Sequence, residues 1–223
     1  MIDLSKKLVL IHPPRCGGTS LETALTGRNI WKEAPEEKHL NARQTLELIT
    51  SRGEKATDYA WYGLKRNPMD RIISMYHRKY WSHEYPYGLF FWPSFSKFAA
   101  TVRPLQHESN NLSLSDFHSA EFSYEIIDMK DINHFLETRF NILKAEVLQS
   151  VTYKHENDNI AICIIEARFD RDYSVFGYSK LNPFGKLSPL IGYTLYYYFQ
   201  AIGSLLIILR LVTLSLEKLF FRK

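Results

Sequence analysis

A short apolar run, a glycine-rich turn and a helical pattern follow one another near the start of the chain. The run Lys7–Ile11 (KLVLI) has the length and content of a short buried strand. The turn HPPRCGGTS occupies 12–20, and the pattern TSLETAL then opens a helix. Thr19 or Ser20 is expected to cap this helix, with Glu22 in its first turn. Such a turn can aim several backbone N–H groups at one anion, and the helix N-terminus adds partial positive charge.

Strands and helices alternate along the residues that follow. Helices are predicted over 42–51, from Asn67 and Pro68 to about Tyr80, over 93–102, over 131–139 and after Asp158. A second strand is predicted over 58–64. This order favours an α/β fold with a P-loop-like, mostly parallel central sheet flanked by helices and followed by an apolar helical C-terminal tail. The predicted buried faces contain Ile132, Phe135 and Leu136 in one helix and Ile160, Cys163, Ile164 and Ala167 in another.

Composition excludes several classes of protein. The chain has 223 residues, of which 45% are hydrophobic and 23% charged, so disorder throughout is excluded. Its two cysteines, Cys16 and Cys163, exclude a disulfide framework and a cysteine-rich zinc module. The net charge of +4 is too small to argue for nucleic acid, but it permits an anionic ligand or an acidic membrane surface. The first residues do not form a secretory signal.

The residue types in the turn suit an anion such as phosphate. Gly17 and Gly18 allow close approach of the backbone, Thr19 and Ser20 add hydroxyl donors, and Arg15 adds a cation. The alternative is a tight strand–helix connection with no ligand.

Two known anion-binding loops are excluded by counting residues. A Walker A loop needs Lys before its Thr or Ser, whereas Gly18 precedes Thr19. A cysteine phosphatase loop would need Arg six residues after Cys16, where Glu22 stands instead.

A second basic segment, LKRNPMDRIISMY over 64–76, follows the second predicted strand. Arg66 precedes the helix, and Ser74 lies roughly 10 Å along its axis. Both are expected to meet at one phosphate beside the carboxyl edge of the sheet, and Arg71 on the same side is expected either to pair with an acid or to support the site. The alternative is a solvated basic helix.

Together these segments resemble the nucleotide-binding signature of sulfotransferases that use 3′-phosphoadenosine 5′-phosphosulfate (PAPS). The loop reads PRCGGTSL over 14–21, and the second segment reads RNPMDRIISMY over 66–76. A third stretch, FDRDYSVFGY over 169–178, resembles the end of the catalytic domain in the carbohydrate-acting branch, which includes bacterial and Golgi polysaccharide sulfotransferases. The resemblance implies a 5′-phosphosulfate site and a 3′-phosphate site. The first would use Arg15, Cys16, Gly17, Gly18, Thr19 and Ser20, and the second Arg66 and Ser74.

The chain departs from the family pattern at two positions. Arg15 stands where the loop cation is usually Lys, and a planar guanidinium is not equivalent to an ammonium point charge. Lys130 stands where the family pattern has Glu.

The resemblance also places a catalytic base between the two segments. The stretch KHLNAR over 38–43 fits that position and nominates His39, with Arg15 as the catalytic cation and no metal. Glu33, Glu36 and Glu37 are the rivals, and His12 is expected to be structural. The aromatic loop 81–92, with Arg78, Lys79 and Lys97, would line a groove for the acceptor or simply cover the core.

The end of the chain differs in composition from the rest. Residues 187–209 contain no charged side chain, and Arg210 ends the run. A membrane helix needs about 20 such residues. We therefore divide the chain into a catalytic domain over 1–180 and a tail over 181–223. The tail is expected to contact the membrane through residues 187–221. Packing on the globular domain or on another subunit is the alternative. The expected location is the cytoplasmic side of a membrane, a bacterial inner membrane rather than the Golgi, because the donor is made in the cytosol.

The resemblance implies transfer of a sulfuryl group from PAPS to a hydroxyl of a glycan or glycolipid. Two alternatives stay open: a P-loop nucleotide kinase or NTPase, and a non-catalytic binding protein that keeps the nucleotide fold.

Overall fold

The computed structural model of the chain describes residues 1–27, 33–34, 37–78, 94–102, 113–119, 122–143 and 158–202. The chain divides into two compact units. The first comprises Met1–Arg71 and Pro104–Tyr153, and the second Ile72–Arg103 and Lys154–Lys223. The aromatic loop 81–92, Lys79, Glu36 and the tail residues 203–223 lie outside the described residues.

The described residues of the first unit form a mixed, mostly parallel sheet of four strands. The strands are β1 (Ile2–Asp3), β2 (Leu8–Ile11), β3 (Ala60–Lys65) and β4 (Glu125–Asp128). Their spatial order is β1-β2-β3-β4; β1 pairs antiparallel with β2, and the other two pairs are parallel. The predicted α/β class with a mostly parallel sheet is therefore confirmed.

Helices of the first unit connect and cover these strands. The helices that lie in it or begin in it are α1 (Gly18–Thr26), α2 (Ala42–Ser51), α3 (Pro68–His77), α5 (Leu114–Phe117) and α6 (Ile132–Phe140). The predicted bounds of α2 are confirmed, since Asn41 and Gln44 form a capping box at its start. The Oδ1 atom of Asn67 accepts from Met69 N at 2.9 Å, as expected for the start of α3.

The start of α1 differs from the prediction. Gly17, in a left-handed conformation with φ 84°, is the N-cap residue, and no side chain caps the helix. The prediction that Thr19 or Ser20 caps it is therefore wrong. Glu22 lies beyond the first turn, on the buried side of α1, and therefore does not interact with the N-terminus of the helix as an acidic residue in the first turn would.

The second unit is helical in the residues described. It contains the end of α3, together with α4 (Phe95–Thr101), α7 (Asn159–Arg168) and α8 (Asp170–Phe176), and a helix over 188–202 that we call the tail helix. Asp158 begins α7 as predicted, since its Oδ1 accepts from Ala161 N at 2.9 Å. Ile160, expected on the buried face, is exposed, whereas Cys163, Ile164 and Ala167 are buried.

The tail helix packs on other helices of its own unit. Ser188 is buried, and the side chain of Gln200 donates to the Ala100 carbonyl at the end of α4. Gly192 lies against the backbone of α7, where a Cβ atom would come within 2.8 Å of the carbon of Cys163. In the part of the chain that is described, no helix is long and apolar enough to cross a membrane.

Candidate functional site

The backbone of the loop over 12–15 is held by hydrogen bonds to every one of its carbonyl oxygens. The donors come from the end of the loop, from α3, from Arg66 two residues before α3, and from the segment that precedes α2. His39 Nδ1 donates to His12 O (3.1 Å), Cys16 N to Pro13 O (3.2 Å), Arg71 Nε to Pro14 O (2.9 Å) and Arg66 Nη1 to Arg15 O (3.0 Å). Hydrogen bonds to all four carbonyls fix the orientation of the peptide groups before any ligand arrives.

The orientation of these peptides decides what the loop can bind. In a trans peptide the C=O and the following N–H point in opposite directions; because Pro13 and Pro14 have no N–H, this geometry applies here only to the N–H groups of Arg15 and Cys16, each of which points away from the carbonyl before it. Cys16 N is committed to Pro13 O, but the first-turn N–H groups of α1, including those of Gly18, Thr19 and Ser20, have no acceptor within the helix. The helix dipole adds partial positive charge at the same end. The loop can therefore bind an anion at the start of α1.

The two loop glycines are required for different reasons. Gly17 needs its positive φ, and its Cβ position is already approached by Ile132 Cδ1 at 3.2 Å and Met129 Cγ at 3.3 Å. Gly18 faces His12, where a Cβ atom would lie 2.7 Å from His12 Cβ and closer still to the imidazole ring. No side chain fits at Gly18 unless His12 moves.

Arg15 adopts the left-handed conformation although it is not glycine. Its φ is 67°, and its side chain is half-buried. Such a conformation costs on the order of 1–3 kcal/mol for a residue with a Cβ atom, and strain of this kind clusters at functional sites. The hydrogen bond from Arg66 to the Arg15 carbonyl helps to hold it.

The second basic segment reaches the loop through two arginines. Arg66 is half-buried and Arg71 fully buried, and they donate to neighbouring loop carbonyls. Arg71 thus supports the loop, which is one of the two roles that the sequence left open for it. Ser74, the other predicted ligand of the 3′-phosphate, is buried in the part of α3 that belongs to the second unit.

A buried cluster of charged side chains lies beneath the loop. His12 Nε2 is 2.5 Å from Glu22 Oε1, and Lys38 Nζ is 3.1 Å from Glu22 Oε2, with all three side chains almost fully buried. Burial alone would raise the pKa of Glu22, but the hydrogen bond from His12 and the charges of His12 and Lys38 lower it below its usual value. Burial lowers the pKa of both His12 and Lys38.

His39 is oriented by the loop backbone and by the ring of His12. Its imidazole meets that of His12 edge to face at 5.0 Å. Because the His12 carbonyl can only accept, the hydrogen bond at 3.1 Å requires the proton on His39 Nδ1. Burial, with the nearby charge of His12, lowers the pKa of His39 to about 2. The neutral ring therefore carries its lone pair on Nε2, the protonation state that a base requires.

The rival bases lie in other environments. Glu37 pairs with Arg52 at 2.5 Å, Glu33 is exposed, and Glu36 lies outside the described residues. His12 is buried, and its Nε2 atom contacts the carboxylate of Glu22. This environment agrees with the structural role expected for His12 from the sequence.

Sequence reasoning missed the roles of Glu22 and Lys38. A signal for Glu22 was present, because the buried residues Gly18, Leu21, Glu22 and Leu25 share one helical face. A carboxylate on that face requires a buried partner. Nothing local marks Lys38 as that partner.

The segment that follows β4 also contacts the loop. Met129 and Ile132 pack against Gly17, and Lys130, exposed, lies between them in sequence. The position where the chain departs from the sulfotransferase pattern is therefore adjacent to residues that contact the loop. Among the described residues, no group of three or more His, Cys, Asp or Glu side chains is arranged to hold a metal ion.

Comparison of the chain with models of protein families, with curated proteins and with solved structures finds no match.

Proposed function

We propose that the chain is a PAPS-dependent sulfotransferase of the carbohydrate-acting branch, with a P-loop-like sheet, and that it sulfates a hydroxyl of a glycan or glycolipid. One observation supports this most strongly. The loop backbone over 12–15 receives hydrogen bonds from Arg66 and from His39, which the resemblance assigns to the 3′-phosphate site and to the base. Two segments that are distant in sequence therefore meet on the loop assigned to the 5′-phosphosulfate.

The loop would bind the 5′-phosphosulfate through the N–H groups at the start of α1 and the hydroxyls of Thr19 and Ser20. Arg15 would stabilise the negative charge that develops on the oxygen bridging phosphate and sulfate. Arg66 donates one N–H to the Arg15 carbonyl, and since a guanidinium has five N–H donors, its other N–H groups would be available to the 3′-phosphate.

His39 would act as the base. The acceptor oxygen attacks sulfur, its proton moves to His39 Nε2, and the bond from sulfur to the phosphate oxygen breaks with its electron pair leaving on 3′-phosphoadenosine 5′-phosphate. A pKa of about 2 makes an isolated imidazole a weak base. A highly anionic donor beside the ring would raise that pKa, because negative charge stabilises the imidazolium. Base strength would then depend on donor binding.

The kinase or NTPase alternative is less well supported. The Walker lysine would occupy the position of Gly18, where even a Cβ atom would collide with His12. The transfer assay given below distinguishes the non-catalytic alternative from a sulfotransferase.

Calorimetry with 3′-phosphoadenosine 5′-phosphate (PAP), with AMP as the control nucleotide, tests the donor site. We expect micromolar binding that needs the 3′-phosphate and weakens about tenfold to a hundredfold in Arg66→Ala. Arg139→Ala is the matched control, since Arg139 is exposed and pairs with Glu125 on the surface. Equal binding of both nucleotides, or none of either, would refute the sulfotransferase assignment.

Transfer is tested by release of PAP from PAPS with a panel of glycan acceptors. His39→Gln should bind PAP like the wild type but reduce kcat about a hundredfold. If the wild type binds PAP but transfers sulfate to no acceptor, and His39→Gln leaves PAP binding unchanged, the non-catalytic alternative is identified. Magnesium-dependent ATP turnover would instead identify the kinase or NTPase.

A further inference from the structure

The tail helix has two sides with different surroundings. On one side Gly192 approaches the backbone of α7, Gln200 donates to Ala100, and Ser188 is buried. This side is therefore fixed on the second unit. The orientation of the whole helix, and of the side chains opposite, follows from these contacts.

The opposite side is exposed and apolar. No charged residue occurs anywhere in 187–209. Leu190 is 66% exposed and Tyr197 65% exposed, values unusual for such side chains when they recur along one helix. We call this surface the tail face; it consists of Leu187, in the turn just before the helix, and of Leu190, Tyr193, Tyr197, Tyr198 and Ile202 in the helix.

The last part of the sequence, which contains the tail face, has a positive net charge. Residues 177–223 contain six Lys and Arg and one Glu, which gives +5, so the overall +4 leaves −1 for residues 1–176. Lys186, one of these cations, is exposed just before the tail helix. Apolar and tyrosine side chains flanked by cations are the combination that binds a membrane interface with anionic lipids.

We propose that the tail face binds the surface of an anionic lipid bilayer, with the tail helix lying in the plane of the interface. Leu187, Leu190 and Ile202 would enter the boundary between headgroups and acyl chains, and the tyrosines would lie at headgroup depth. The other side of the helix stays on α4 and α7, so this half of the tail contributes a surface for docking and not a span. The proposal does not depend on the donor site.

Flotation of the full chain with vesicles tests this proposal. We expect binding to vesicles of phosphatidylcholine with phosphatidylglycerol, much weaker binding to phosphatidylcholine alone, and weakening by salt. Leu190→Asp and Tyr197→Asp should each reduce binding about tenfold or more, because each removes apolar contact and adds negative charge. The matched control is Leu143→Asp, at a site in the first unit that is 74% exposed, and it should bind like the wild type.

Three outcomes would overturn the proposal. One is no binding of the wild type to anionic vesicles. A second is binding that Leu190→Asp and Tyr197→Asp leave unchanged, which would assign the attachment to another part of the chain. The third is self-association in the absence of lipid that these two variants abolish, measured by light scattering, which would make the tail face a contact between two copies.

Discussion

His39 Nδ1 donates to the carbonyl oxygen of His12 across 3.1 Å, and this bond joins the candidate base to the candidate anion-binding loop. A backbone carbonyl cannot donate, so the bond selects one tautomer of the neutral ring. The nitrogen left to accept a proton is Nε2. The same contact makes the position of the base dependent on the conformation of the loop.

The tautomer of His39 and its response to donor are both measurable. Nitrogen NMR of the ¹⁵N-labelled chain at pH 7 should show neutral His39 protonated on Nδ1. PAP should raise the pKa of His39, because the bound phosphates stabilise the imidazolium. His39→Gln assigns the resonance. A ring protonated on Nε2, or a pKa that PAP does not change, would contradict the assignment of His39 as the base.

The low pKa of His39 also predicts how stability depends on pH. Its pKa falls from 6.5 to about 2 on folding, so below pH 6.5 the unfolded chain binds a proton that the native chain does not. The contribution of His39 is complete above pH 6.5 and is lost progressively as the pH falls toward 2. His39→Gln should therefore reduce the slope of unfolding free energy between pH 6 and 5 by about 1 kcal/mol per pH unit. Urea unfolding measures this, and an unchanged slope would contradict a His39 ring that stays neutral in the folded chain.

Glu22 should be important for stability because it holds two buried groups. Glu22→Gln keeps the shape of the side chain but leaves Lys38 buried without its counter-charge. Removing one partner of a buried pair costs about 3–5 kcal/mol, and we expect a loss of this size in urea unfolding. Glu47→Gln is the control, since Glu47 pairs with Arg43 at the surface and its loss should cost less than about 1 kcal/mol. Equal effects of the two changes would show that the cluster is not buried as described.

Gly18 should not tolerate a methyl group. Gly18→Ala forces the His12 ring out of its position against the loop, and overpacking of this kind costs about 1–3 kcal/mol. Thermal unfolding of Gly18→Ala, His12→Ala and the double variant should show strong non-additivity, because removing the ring makes room for the methyl group. Additive effects would mean that the two residues are not in contact. Gly27→Ala, at the other end of α1, places its Cβ more than 4 Å from other described parts of the chain and should show no coupling to His12→Ala.

Gly192 tests the packing of the tail helix in the same way. An alanine there would collide with the backbone of Cys163, which cannot move as a side chain can. Gly192→Ala should destabilise the second unit and expose α7 to hydrogen exchange. Gly185→Ala is the control: its positive φ adds backbone strain, but among the described residues no atom lies within 4 Å of the new Cβ, so exchange in α7 should change less than in Gly192→Ala. Unchanged exchange in α7 would contradict the close approach.

Elements whose signals are local were predictable. The bounds of α2 follow from its periodicity and from the capping box of Asn41 and Gln44, which are three residues apart. Asn67 and Asp158 cap the helices that they precede for the same reason. The N-cap of α1 was not predictable, because Gly17 is held by packing against Met129 and Ile132, more than a hundred residues away.

The sequence by itself determined the alternation of strands and helices, the glycine-rich turn between β2 and α1, and the residue types suited to an anion. These depend on spacing and on hydrogen bonds between near neighbours. Only the tertiary structure decided that Glu22 binds His12 and Lys38, that Arg66 and Arg71 hold the loop carbonyls, and that Gly192 and Gln200 fix one side of the tail helix. Those partners are 10 to 100 positions apart, and a buried charge or a close backbone contact is satisfied by whichever residue the fold brings beside it.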